Sequence, residues 1–308
     1  MFGFEKQIQP DLSIACCLGV MHYSLAVLTQ NKHVLHCLSK KFDESTLPLM
    51  AKTLASDVER LNLLAHDCQL ILFPGQYQLI LMDALDIPEA DMAKALRWSL
   101  KGLSDYDLDD VAIDAFMLPE VAGDSQKKIM VAITPLSKLD KMRAVLESAC
   151  LEVTTASVSE IALINLLALM FPVTSDENTA PLLMISLCDT IRKLHIVHNN
   201  TFYLVRELPL LTNAITDEPV EMSNIILELE RSIDYCINKL NLSEPKQILF
   251  TPGFHNAVAY LKIIEEKLGI NTTIIDLNDY LNIEPALSLK EQHDVFYSIA
   301  GAIQGAST

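Results

Sequence analysis

Hydrophobic positions along this chain alternate between a period of two and a period near 3.6, and the order of the changes occurs twice. Apolar runs at Leu12–Gly19, His22–Gln30 and His33–Leu38 predict three strands. Thr46–Ala65 then reads as a helix, followed by a strand ending in Leu70-Ile71-Leu72-Phe73-Pro74-Gly75. The succession returns in the second half. Strands at Leu182–Leu187, Ile191–His198 and Thr201–Glu207 precede a helix near Pro219–Leu240 and a strand ending in Ile248-Leu249-Phe250-Thr251-Pro252-Gly253.

Between the copies the pattern changes. Gln78–Leu85 predicts a strand, and Pro88 with Glu89 opens a helix whose buried face carries Met92, Leu96, Leu100 and Leu103. Strands Asp110–Phe116 and Lys128–Thr134 are expected to join through the Gly123-Asp124-Ser125 turn. A helix from Pro135 presents Leu136, Leu139, Met142, Leu146 and Ala149, and Leu151–Thr155 is expected to close the unit as a strand. The order β-α-β-β-α-β is ferredoxin-like.

A β-β-β-α-β unit present twice predicts an α/β protein of the actin and sugar-kinase class, with duplicated RNase H-like lobes facing across a cleft. Residues 11–75 and 156–178 are expected to form the first lobe, with 76–155 as a ferredoxin-like α+β insert on it. The second lobe takes 180–308, with a final helix over 292–305 returning to the first. A length of 308 residues supports more than one core.

Composition removes several functions. A net charge of −17 and the absence of a basic run oppose binding to nucleic acid. The seven cysteines lack CxxC spacing and are odd in number, so buried thiols in a reducing cytosol are expected, with neither metal nor disulfide. No secretion or transit segment is read before Asp11, and the apolar stretch Ile161–Phe171 is too short to span a bilayer. A soluble cytoplasmic protein is therefore expected, held at a membrane only through a partner. The eight histidines are scattered, and neither a Walker loop nor a GxSxG elbow occurs, so no catalytic residue is nominated. Trp98, alone beside a leucine stripe, is expected in the core, with Arg97 and Lys101 as solvated neighbours.

Ala95-Leu96-Arg97-Trp98-Ser99-Leu100-Lys101, followed by Asp109-Asp110-Val111-Ala112-Ile113-Asp114, resembles the insert helix and strand of PilM and its relative MshI. Leu229-Glu230-Arg231-Ser232-Ile233-Asp234-Tyr235 resembles the E-x-x-R-S-L-D-Y helix of MshI-type proteins. Pro74-Gly75, Val131-Ala132-Ile133-Thr134-Pro135 and Ile299-Ala300-Gly301-Ala302 are further correspondences, and together they extend over nearly the whole chain. The resemblance implies a cytoplasmic actin-like component of type IV pilus assembly, in the mannose-sensitive hemagglutinin (MSHA) branch for MshI, with likeness to the cytoplasmic part of secretion protein GspL. The fused transmembrane helix and periplasmic domain of GspL are not read here.

ATP-binding members of the class carry Asp-x-Gly-Ser phosphate turns. The first turn here reads Cys17-Leu18-Gly19-Val20 and the second Ser186-Leu187-Cys188-Asp189. Ser24 stands where PilM tends to have lysine, and the adenosine-side Gly-Gly has become Pro252-Gly253. Magnesium and phosphate charges would go uncompensated. A degenerate cleft is therefore expected, without cofactor or ATPase activity, and Gly19, Ser186, Asp189 and Gly253 are the positions where any nucleotide would bind. The resemblance further implies a partner: the cytoplasmic N-terminal tail of a PilN-like or MshJ-like inner-membrane protein, docked between the first lobe and the insert. An ATP-binding actin-like ATPase is the alternative.

Overall fold

The computed structural model describes residues 12–44, 46–85, 87, 89–121, 126–173, 179–188, 191–208, 218–253 and 257–305. Strands β1 (Leu12–Leu18), β2 (His22–Thr29) and β3 (His33–Lys41) are followed by helix α1 (Leu47–Arg60) and strand β4 (His66–Leu72). The Thr46 side chain caps α1 by accepting from Leu49 N, and the helix stops before Asn62, whose φ of 58° no helix accommodates. The helix thus begins one residue later and ends five residues earlier than the expected Thr46–Ala65.

Strand β5 (Gln78–Asp83), helix α2 (Glu89–Ser99), strand β6 (Val111–Met117) and strand β7 (Lys128–Pro135) come next. They give an antiparallel sheet of order β5-β7-β6. Leu96 of α2 and Leu100, in the turn just after it, are buried against Ile129, Val131 and Ile133 of β7. Leu103, placed by its spacing on that face, lies beyond the helix end and is 51% exposed. The Gly123-Asp124-Ser125 turn lies outside the described residues.

After helix α3 (Leu136–Ser148), strand β8 (Leu151–Val158) precedes helix α4 (Ser159–Met170). β8 runs parallel to β4, from His66 opposite Leu151 to Leu72 opposite Val158. This corrects the expectation that Leu151–Thr155 closes the insert. Apolar alternation makes a strand but does not choose its neighbour, and the small sheet is complete with three strands.

The second copy comprises β9 (Leu182–Cys188), β10 (Ile191–His198), β11 (Thr201–Leu208), α5 (Glu218–Asn238), β12 (Gln247–Phe250), α6 (Ala257–Leu268) and β13 (Asn271–Ile274). A short strand β14 (Asn282–Ile283) and helix α7 (Leu289–Gly305) follow. The two large sheets have orders β14-β3-β2-β1-β4-β8 and β11-β10-β9-β12-β13. In each, the first three strands are antiparallel and the next two parallel to the first, so the duplication extends one strand further than the repeated sequence phrase.

The described residues fall into two compact units. One draws on Met1–Leu72, Met142–Leu166 and Leu277–Thr308, the other on Phe73–Lys141 and Leu167–Asp276. In the first, β1 is buried along nearly its whole length and α7 packs on β1, β2 and β4. Gly301 permits the approach: a Cβ there would lie 2.4 Å from Ile71 Cγ1. Ser13 Oγ donates to Ala302 O at 2.6 Å.

In the second unit the small sheet groups with β9–β13, whereas the sequence suggested an insert grouped with the first lobe. The segment Phe73–Tyr77 supplies a reason. Gly75, at φ 88°, leaves no room for a side chain, since a Cβ would lie 2.7 Å from Ile191 Cδ1. Thr134 Oγ1 donates to Gln76 O at 2.9 Å, and Lys193 Nζ donates to the Tyr77 hydroxyl at 3.3 Å. The motif helix α5 is held similarly: Glu228 accepts from Arg206 on β11 at 3.0 Å and from Arg231 at 2.5 Å. Glu228 and Arg231 are the E and R of the E-x-x-R pattern.

Candidate functional site

The β1–β2 turn of the first unit is the counterpart of a phosphate loop. Gly19 N donates to His22 O at 2.8 Å, closing the hairpin, and an ideal Cβ on Gly19 would stand 2.4 Å from His22 Cε1. The imidazole lies over the glycine, and any side chain at this position would have to displace it. The bare backbone face that lets a phosphate approach is therefore covered from within the hairpin. Val20 at the tip is 82% exposed, giving an apolar point where a phosphate loop offers a hydroxyl. Ser24, opposite Cys17 in the ladder, is buried, and its hydroxyl has no partner among the described residues.

In the second unit, Ser186 and Gly253 belong to parallel neighbours, since β9 pairs with β12 and Thr251 N donates to Ile185 O at 3.0 Å. Both lie at the carboxyl ends of these strands, the edge where open α/β sheets carry ligands. Ser186 is buried and paired in register with Lys193. Gly253 takes φ 108°, so its role as a turn residue is conformational. Asp189 lies outside the described residues.

Lys193 was not singled out by its sequence context. It is only 3% exposed, and its ammonium sits 4.5 Å from the centroid of the Tyr77 ring, to whose hydroxyl it also donates. A cation buried in the strand following the second turn is thereby directed at an aromatic side chain. The first turn, as described, offers neither the open glycine nor the carboxylate that phosphate and hydrated magnesium require, and it does not fit ATP–Mg. The carboxylate of the second turn, Asp189, is outside the described residues. Among the described residues no three His, Cys, Asp or Glu converge as metal ligands.

The insert helix departs from expectation at two residues. Trp98 is 71% exposed rather than buried, because it projects opposite the Leu96–Leu100 face. Arg97 is not merely a solvated neighbour: its guanidinium donates to the carbonyls of Leu108 and Val111, tying α2 to the start of β6. Cys16, Cys17, Cys37, Cys68, Cys150 and Cys236 form no disulfide, and Cys150 is exposed, against the buried expectation. Burial pushes the thiols of Cys68 and Cys236 up to about 12, so they are protonated at neutral pH.

Two sheets of one order and direction, with a small antiparallel sheet interposed in the chain, define an actin-like fold. Solved structures agree. A PilM–PilN type IV pilus biogenesis complex matches with a TM-score of 0.74 at 15% identity, over 96% of this chain and 98% of that one. A Bacteroides thetaiotaomicron protein with an actin-like ATPase fold matches at 0.55 and 10% identity, covering 95% and 98%. The cytoplasmic domain of EpsL, an inner-membrane component of the Vibrio cholerae type II secretion system, matches at 0.52 and 9% identity, covering 94% and 95%. No family model matches the sequence. No curated protein matches it either. The chain accordingly has an actin-like fold of the kind seen in PilM, and no described helix is long and apolar enough to cross a membrane.

Proposed function

We propose that this protein is a non-catalytic platform component of a type IV pilus system, in the MSHA branch, positioned at the cytoplasmic face of the inner membrane by a partner. That partner is a PilN-like or MshJ-like protein whose cytoplasmic N-terminal tail it binds. The observation that carries the reading is the extent of the likeness to the PilM–PilN structure, which takes in the insert as well as both sheets at a TM-score of 0.74. Two features favour a scaffold over an ATPase: the imidazole of His22 over Gly19 and the engagement of Lys193 with Tyr77. The Glu228–Arg231 pair on α5 supports the MshI-type assignment, since it gives the motif a structural reason.

A synthetic peptide copying the cytoplasmic tail of a PilN-like protein from the same organism should bind with roughly micromolar affinity, about 8 kcal/mol. That strength suits a short segment which must be ordered on docking. Binding should weaken with added salt if basic tail residues meet a surface of net charge −17. No binding in calorimetry, together with saturable stabilisation by ATP, would transfer the assignment to an actin-like ATPase.

A further inference from the structure

Strand β5 lies at one end of the small sheet, with β7 as its only strand neighbour among the described residues. Ala84 N donates to Lys127 O at 2.8 Å and continues the β5–β7 register. In an antiparallel ladder such bonded pairs recur at every second residue, so Gln78, Ile80 and Met82 turn their amides to β7 while Leu79, Leu81 and Asp83 turn theirs outward. The outward N–H and C=O groups have no partner among the described residues. This edge is open.

An open edge is a template for another strand, and folded proteins blunt such edges with charge, proline, a bulge or a covering group. On β13 the N–H of Thr272 is taken by Glu265, β11 carries Arg206 and Glu207, and β8 has an irregularity opposite Cys68 and Gln69. No such device occurs along Leu79-Ile80-Leu81-Met82, which is apolar throughout. The charge at its end, on Asp83, is paired with Lys128 of β7. Leu81 is 45% exposed.

What fits this edge is set by its own residues. In an antiparallel pair centred on Leu81, a second copy aligns Leu79 with Asp83, Ile80 with Met82 and Leu81 with Leu81, so that every outward amide meets an outward amide. A slip by one residue would break that match. Ile80 and Met82, which pack on the Leu96–Leu100 core, would lie beside their counterparts on one face, and the Asp83 carboxylates would stand at opposite ends. Parallel pairing would instead set the carboxylates side by side. The neutral run offers a foreign segment no charge by which to be recognised, whereas the two-fold register matches the edge to itself. Being isologous, the contact uses up both edges and closes without building a fibre.

We infer that β5 pairs with β5 of a second copy in an antiparallel, two-fold arrangement about Leu81, joining two three-stranded sheets into one. The inference does not depend on the pilus assignment.

Sedimentation velocity of the full chain tests it, under reducing conditions that keep the exposed Cys150 from cross-linking. At about 0.15 M salt, repulsion between chains of net charge −17 is screened beyond about 8 Å. A strand pair of this length buries less than the roughly 1,200 Å² of lasting interfaces, so a reversible dimer with a Kd on the order of 100 μM or tighter is expected. Leu81→Lys and Leu81→Glu each set like charges across the axis and should weaken it about tenfold. Their melting temperatures at low concentration should be unchanged, because the side chain is exposed. Mixing the two variants should restore the dimer, since unlike charges then face each other. A chain monomeric at about 300 μM would overturn the proposal and leave the edge to a strand of another protein. A dimer that both variants keep at full strength, or a mixture no stronger than either variant alone, would overturn it as well, because the contact would lie elsewhere.

Discussion

Asp57 is the residue on which the first unit's polar interior converges. Its carboxylate, on α1, accepts from the Tyr23 hydroxyl at 2.5 Å and pairs with Lys40 at 3.0 Å and Arg60 at 2.9 Å. Burial pushes the carboxyl up, but the Tyr23 hydrogen bond and those from Arg60 and Lys40 outweigh it and hold it below the ordinary carboxylate range. The stabilisation this gives is present above the unfolded-state value near 3.9 and is lost as pH falls through the lower folded-state value. Asp57→Asn should therefore lower stability at pH 7 by about 2 kcal/mol in urea melts, the scale of a hydrogen-bonded charge. The variant should also lose less stability than the parent below about pH 4. An unchanged acid limb would show that this carboxylate is not what titrates.

At the scale of elements, α7 depends on having no side chain at Gly301. Gly301→Ala should drive the helix from Ile71 and Ala15 and cost about 1–3 kcal/mol, the range for overpacking. Ile71→Ala alone leaves a cavity, yet the two together should cost less than their sum, because the new methyl enters vacated space. Strict additivity would mean that α7 does not seat as described. Elements themselves were largely legible from periodicity: β10 runs Ile191–His198 as the alternation suggests, and β11 differs by one residue. Partners were not. The carboxyl-terminal end of β8 pairs with Leu72 some eighty-six positions earlier, and nothing within Leu151–Val158 encodes that choice. The exposure of Trp98 was legible in the sequence, since its spacing from Leu96 and Leu100 already sets it on the other face. Arg97 was different, because its acceptors are main-chain carbonyls whose positions depend on the turn before β6.

For the whole molecule, the decisive measurement is whether nucleotide stabilises it. A ligand that binds only the native state raises stability in proportion to the logarithm of its concentration over Kd. With ATP and magnesium at millimolar levels, no rise in melting temperature is expected, and a saturating rise would sink the scaffold reading. The losses at Cys17, Val20, Ser186 and Cys188 could be read as letters, but the covering groups could not. The imidazole of His22 lies over Gly19, and Lys193 meets Tyr77 across 116 residues of chain. The path of the chain has a further consequence, for biosynthesis. The Ser13–Ala302 bond joins residues 289 apart, so β1 acquires its covering helix only after that length of chain has been synthesised. At about 5–20 residues per second, the apolar β1–β2 hairpin waits roughly 15–60 seconds for α7. Its native cover is made too late to protect it from sticky encounters during that interval, and chaperone supply should govern the yield of this protein more than its final stability does.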